Sequence, residues 1–153
     1  MRLLLLLLAA AVAAAGCDAV PSPGDLAPGT FELSVGGRTS QGEARFYPSL
    51  EFQFNQAAVY LRPCAENRFV IESDEFLAAE PGDRFEPRVD YRPPGRSYQR
   101  VGGTVEVTEQ TAEGVRGRFS VRLRDFSTGP GTGGDVTARG AFYAVTSEVG
   151  EGC

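Results

Sequence analysis

The chain has 153 residues, of which 42% are hydrophobic and 23% charged, and its 15 basic residues face 20 acidic ones for a formal net charge of −5. That length supports one domain with a real core and not two, and the acidic balance argues against nucleic acid as a partner, since nucleic acid needs a basic surface. Every basic residue is Arg, and the chain has neither Lys nor His; this removes the usual general base near neutral pH, the commonest metal ligand, and Schiff-base and Ser-Lys chemistry, so no metal and no cofactor is expected.

Residues 1–16 carry Arg2, an apolar core from Leu3 through the alanine run to Ala15, and then Gly16. A basic start, a short apolar core and small residues at its end predict an export signal, too short for a stable transmembrane helix. Gly16-Cys17 resembles a bacterial lipobox, in which the signal is cut before the Cys and Cys17 is acylated. The rival is ordinary signal cleavage after Ala13-Ala14-Ala15; Ala14 also stands where lipoproteins usually have Leu. Cysteine arithmetic separates the two. Of the three cysteines, ordinary cleavage leaves an odd number in an exported protein, whereas acylation of Cys17 leaves Cys64 and Cys153 to pair in an oxidising compartment. The expected location is the cell envelope, lipid-anchored, with inner or outer membrane left open. Residues 17–29, with Pro21, Pro23 and Pro28, read as the lipidated Cys and a Pro-rich tether, able to lift the domain roughly 35 Å at about 3.1 Å per residue.

From Thr30 the hydrophobic period is two and no 3.6-residue stripe is present, so residues 30–153 are expected to form a single β domain. Phe31, Leu33 and Val35 alternate with Glu32 and Ser34, and Gly36-Gly37 is a two-residue hairpin signal leading into a strand from about Arg38 to Phe46. Leu50, Phe52 and Phe54 alternate next, then Val59 and Leu61, then a short strand over 68–72. Residues 80–100, rich in Pro, Gly and charge, read as a long loop with a brief strand near Arg88–Tyr91. The clearest hairpin covers 103–124, with Val105 and Val107 facing inward with Val115, Phe119, Val121 and Leu123; a loop at 130–134 and a closing strand at 136–145 follow. About eight strands at this spacing predict an all-β fold, an antiparallel β-sandwich or barrel-like sandwich.

The segments Gly103-Thr-Val-Glu-Val-Thr, Val115-Arg-Gly-Arg-Phe-Ser-Val and Asp135-Val-Thr-Ala-Arg-Gly-Ala-Phe-Tyr-Ala-Val resemble the C-terminal half of small uncharacterised lipoproteins of Bacteroidetes-like bacteria, which share the lipobox, a Gly-x-Phe step and a similar last strand. The resemblance covers about a third of the chain and implies an all-β surface or periplasmic lipoprotein. It supplies no functional residue.

Several constellations bear on function. Arg116, Arg118, Arg122 and Arg124 lie at alternate positions and share one face of one strand. They form a candidate anion-binding face for a sulfated or uronic glycan or a lipid phosphate; the bland alternative is a solvated face balanced across the hairpin, Glu106 opposite Arg118 and Thr108 opposite Arg116. Glu72, Asp74 and Glu75 are the candidate carboxylate pair of a hydrolase, or a solvated turn. Asp125–Asp135 has acids at its ends but Val136 where a calcium loop needs Glu. Tyr47, Tyr60, Tyr91, Tyr98 and Tyr143 offer an aromatic platform or ordinary packing. A lipocalin-like carrier needs an open apolar cavity, which Phe52, Phe54, Phe119 and Phe142 are expected to fill. The expectation is a membrane-anchored binding or interaction module, non-enzymatic, contacting an anionic glycan or an envelope protein; the alternative is an envelope hydrolase.

Overall fold

The computed structural model describes residues 22–48, 56–127, 129 and 133–148. Among them are nine strands: β1 (Thr30–Val35), β2 (Arg38–Tyr47), β3 (Ala58–Leu61), β4 (Phe69–Glu72), β5 (Arg84–Phe85), β6 (Arg88–Tyr91), β7 (Tyr98–Thr111), β8 (Gly114–Asp125) and β9 (Asp135–Thr146). Eight of them follow one another in an antiparallel meander, β1-β2-β3-β4-β6-β7-β8-β9, and β9 pairs back onto β1, so the sheet closes into a barrel. Closure removes the sheet edges that would otherwise template aggregation. The fold class read from the period-two pattern is therefore right, in its barrel-like form.

Strand β5 is the ninth, and register explains it. Arg84 and Phe85 pair with Glu106 and Val105, while Asp90 and Tyr91 pair with Gln99 and Tyr98 of the same strand. β5 and β6 are thus one strand interrupted at Glu86-Pro87, where Pro87 has no N–H to donate. From Phe85 to Asp90 is five steps, but from Val105 to Gln99 is six, so β7 carries one extra residue. The pairing with β8 shows the same jump, from Arg100↔Leu123 to Gly102↔Arg122. Val101 is that bulged residue, and beside it Gly103 takes φ +93°. A bulge bends its strand and increases the twist, which lets 14-residue β7 wrap the barrel. The stretch 80–100 consequently carries strand at Arg84–Phe85 and from Tyr98 onward as well as at Arg88–Tyr91, with turns left at Pro81-Gly82 and around Pro93-Pro94-Gly95: the alternation of Phe85, Val89 and Tyr91 holds in spite of the flanking prolines.

The interior is packed. Phe31, Phe69, Phe76 and Phe142 are at most 1% exposed, and rings run across the barrel from Phe142 to Phe119 (6.4 Å), Phe69 (5.3 Å), Tyr91 (5.5 Å) and Tyr98 (5.8 Å). The Gly-x-Phe step read from the sequence acquires a physical reason here. It occurs in both β8 and β9, which run antiparallel, so Gly117 faces Phe142 and Phe119 faces Gly140. A Cβ on Gly117 would lie 2.6 Å from Phe142 Cζ, and one on Gly140 would lie 2.8 Å from Phe119 Cζ. Each glycine leaves room for the other strand's ring.

The two ends of the barrel differ. At one end the β4–β5 connection folds into a 3-10 turn, Asp74–Leu77, whose Ser73 accepts a hydrogen bond from the Glu75 N–H at 3.3 Å. This turn drives Phe76 edge-on into Phe85 (5.0 Å) and Phe46 (6.0 Å) and plugs that end. The chain also enters there. Residues 22–29, read from sequence as part of a stalk, instead dock: Pro23 is buried, the Pro23–Asp25 turn packs on β8 and β9, and Gly29 bonds Tyr143 O and Ala44 N–H, each at 2.8 Å. Pro23 pre-sets the turn's φ and its apolar ring gains by burial. Any free tether shortens to residues 18–21, which, with Cys17 and the signal, lie outside the described residues, as do Phe52, Phe54, the strand expected near them, and Cys153.

Candidate functional site

The other end of the barrel holds a cavity. The turns between β1 and β2, β3 and β4, and β6 and β7 converge there on a cavity of about 640 Å³, lined among others by Leu33, Val35, Arg38, Arg62, Tyr91, Arg96, Tyr98 and Val136. Small-molecule sites typically measure about 300–1,000 Å³ and recur in the mouths of β-barrels. Among the described residues, three arginines and no carboxylate line this mouth, in a chain of net charge −5.

Each arginine arrives by a different local device. Arg38 follows Gly36 (φ +56°) and Gly37 (φ +80°), the two left-handed positions of a type I′ hairpin turn. Arg62 follows β3, and continued alternation after inward-facing Leu61 would send it outward. It is instead the one non-glycine residue with positive φ among those described, at +59°, a conformation that costs about 1–2 kcal/mol for a residue with a Cβ. Its N–H donates to Glu43 O at 2.8 Å and its carbonyl accepts from Ala65 N–H at 3.1 Å, which fixes the turn. The reversal carries the guanidinium over the Phe31 ring, 5.8 Å from its centroid. Gly42 clears the path: a Cβ there would lie 3.1 Å from the Phe31 ring and 3.7 Å from Arg62 Cγ. Arg96, from the β6–β7 turn, donates to Tyr98 Oη at 3.0 Å and lies 3.7 Å from Asp125 Oδ2. Arg38 and Arg62 have no ion pair among the described residues. Burial pushes the Tyr91 hydroxyl's pKa upward, even though Arg62 beside it acts in the opposite sense, so Tyr91 presents a neutral O–H to the mouth.

The arginine row is arranged differently. Arg118 donates to both oxygens of Glu106 (2.9 and 3.2 Å), Arg124 to both of Asp135 (2.7 and 3.1 Å), and Arg122 lies 3.5 Å from Asp135. Arg116 lies 3.2 Å from Glu109 and stacks 3.9 Å over the Tyr143 ring. Glu106 does face Arg118, as the hairpin pattern suggests, but Arg116 meets Glu109 and not Thr108, because Thr108 is bulged out of the ladder. Each cation of the candidate anion-binding face thus has a carboxylate beside it, the arrangement of a solvated face.

The acids do not converge on the mouth. Glu72 faces outward from β4, yet is 8% exposed, with Arg88 Nε 3.5 Å from its Oε2. Asp74 and Glu75 are exposed on the turn that plugs the opposite end. Asp125 is occupied by the Ser127 N–H (2.8 Å) and hydroxyl (2.6 Å), and Asp135 by Arg122 and Arg124. The tyrosines separate into three places: Tyr47 against Tyr60 (5.2 Å), Tyr91 against Tyr98, and Tyr143 beneath Arg116.

Burial raises the Glu72 carboxyl's pKa above its ordinary value, with Arg88 partly opposing it. A raised folded pKa means that the native state holds this proton longer than the unfolded chain, so stability falls as pH rises from the unfolded pKa through the folded one. Glu72→Gln is expected to remove that fall and to gain about 1 kcal/mol at pH 7, the scale of a buried polar atom without a hydrogen bond; Glu72 Oε2 is such an atom. Urea unfolding of both proteins at pH 4 and pH 7 measures it. A variant less stable than wild type at pH 7 would show that the charged Arg88 pair outweighs desolvation.

Sequence reasoning did not group Arg38, Arg62 and Arg96. The signal available was positional: each stands at a turn, after Gly36-Gly37, before Pro63 and after Pro93-Pro94-Gly95, and in a meander alternate turns meet at one end. Comparison with protein-family models, with curated proteins and with solved structures finds no match.

Proposed function

We propose that this protein is an exported, lipid-anchored binding module that takes a small ligand, or the end of an envelope glycan, in its barrel mouth, and that it is not an enzyme. The observation that carries this reading is the asymmetry of the barrel: one end plugged by Phe76, the other a mouth of about 640 Å³ lined, among the described residues, by three arginines and no acid. A packed interior beneath it argues for a rim site over a deep carrier cavity. Acylation at Cys17 would attach the lipid on the plugged side, where residues 22–29 dock, and so direct the mouth away from the bilayer. A Cys64–Cys153 disulfide belongs to the same exported setting.

Two experiments test the reading. Cys17→Ala is expected to move the protein from the membrane fraction to the soluble exported fraction and to abolish fatty-acid labelling; unchanged partitioning sinks the anchor. In a small-molecule screen followed by amide chemical shifts, binders are expected to perturb the β1–β2 and β6–β7 turns. Hits that map to the plugged end, or a screen without hits, sink the mouth as the site.

A further inference from the structure

We infer that the ligand of the mouth is a compact organic carboxylate, its anionic head held by Arg62 with Arg38 and Arg96 at the rim, and its body no longer than a ring or two against Leu33, Val35 and Tyr91. The inference rests on the mouth being the binding site and adds the chemical class of what enters it.

Charge sets the head group. Elsewhere on the barrel the arginines of the β8 face are matched by acids, so an arginine without one is the exception. Arg38, Arg62 and the exposed Arg68 are such exceptions among the described residues, and the first two line the same cavity. Arg62 is the more telling, because its half-buried side chain is turned inward over the Phe31 ring by a left-handed backbone that costs stability. Backbone strain of this kind persists where the surroundings enforce it and concentrates at ligand sites. A planar guanidinium offers paired N–H donors that match a carboxylate's two oxygens, a geometry an isolated point charge lacks. The neutral Tyr91 hydroxyl can donate to the same anion.

Packing sets the body. Leu33, Val35 and Val136 give the mouth an apolar wall, but below them Phe31, Phe69, Phe119 and Phe142 are at most 2% exposed. A long alkyl chain has no passage into this interior, so the ligand must stay within the mouth.

Calorimetric titration of the full chain with 2-naphthoate, its neutral amide 2-naphthamide, palmitate and inorganic phosphate tests each part. Naphthoate is expected to bind at least about tenfold more tightly than the amide, and Arg62→Gln to weaken it by about 10- to 100-fold, the range of a charge-assisted hydrogen bond. Arg38→Gln, at an exposed turn where folding is not at issue, is expected to weaken it about threefold and to reduce the salt dependence. Equal binding of the amide overturns the anionic head while leaving the mouth as the site. Palmitate binding more tightly than naphthoate overturns the compact body. Phosphate binding as tightly as naphthoate, with the same Arg62 dependence, overturns the organic body. Failure of every probe, with a binder from the wider screen still mapping to the mouth, refutes the carboxylate class and not the site.

Discussion

Gly103→Ala is expected to destabilise the barrel by about 3 kcal/mol or more, the sum of left-handed backbone strain and forced overpacking. Gly103 has φ +93°, and a Cβ there would collide with the backbone of Ser120 and Val121 on the neighbouring strand. Neither partner can rotate away, since both belong to the β7–β8 ladder. The residue follows the Val101 bulge, where β7 bends to pair with β5, β6 and β8 together, so the collision falls on the strand that closes the sheet. Gly102→Ala is the matched control: its Cβ would meet only the far end of the Arg122 side chain, at 3.4 Å, and the loss should stay within about 1 kcal/mol. Urea midpoints of the two variants measure the difference. Equal midpoints would mean that the bend at Gly103 is not needed for closure.

How legible this fold was depends on which physical signal each element carries. The β1–β2 hairpin was readable because Gly-Gly permits two consecutive left-handed residues and alternation on both sides sets the register. β8 and β9 were readable for the same reason, since each is half-buried along its whole length. β5 and the start of β7 were hidden: Pro87 and Pro93-Pro94 signal loop locally, and only pairing across the barrel recruits Phe85 and Tyr98 as inward-facing residues. The bulges at Val101 and Thr108 leave no mark in a period-two pattern, because the alternation simply resumes one residue later. That is why Glu109, and not Thr108, meets Arg116.

The candidate site shows the same division. Spacing along one strand displays Arg116, Arg118, Arg122 and Arg124 as a row, and the hairpin already sets Glu106 against Arg118, but the bulge at Thr108 and the register of β9 are what bring Glu109 and Asp135 beside the others. Arg38, Arg62 and Arg96 are far apart in sequence and meet only because alternate turns of a meander share an end. The inward turn of Arg62 contradicts its strand's alternation, and nothing in the local sequence beyond Pro63 suggests it. In a chain whose only cationic side chain is Arg, composition cannot separate an arginine with a carboxylate beside it from one without; the folded barrel does.

Under oxidising conditions, Cys64→Ser and Cys153→Ser are each expected to lower stability by roughly 4 to 5 kcal/mol, less any strain, because a bridge between them closes a long loop in the unfolded chain. That loop spans 88 residues between the two cysteines. Cys153 lies outside the described residues, but chain length allows the reach. Ser147, just past β9, is buried and its N–H donates to Phe46 O at 2.8 Å, while Arg62, two residues before Cys64, donates its N–H to Glu43 O at 2.8 Å. Three residue steps along β2 separate those acceptors, roughly 10 Å of strand. The six residues from Ser147 to Cys153 span up to about 20 Å when extended, enough to return along the outside of β2 to the β3–β4 turn with the two Cα atoms about 4.4 to 6.8 Å apart. The two serine variants should match wild type once wild type is reduced, since a lost bridge, unlike a lost packing contact, has no effect without its partner oxidised. A non-reducing gel and thiol titration complete the test: one monomer band without reactive thiols from the pair supports the bridge, whereas a disulfide-linked dimer or two titratable thiols rules it out.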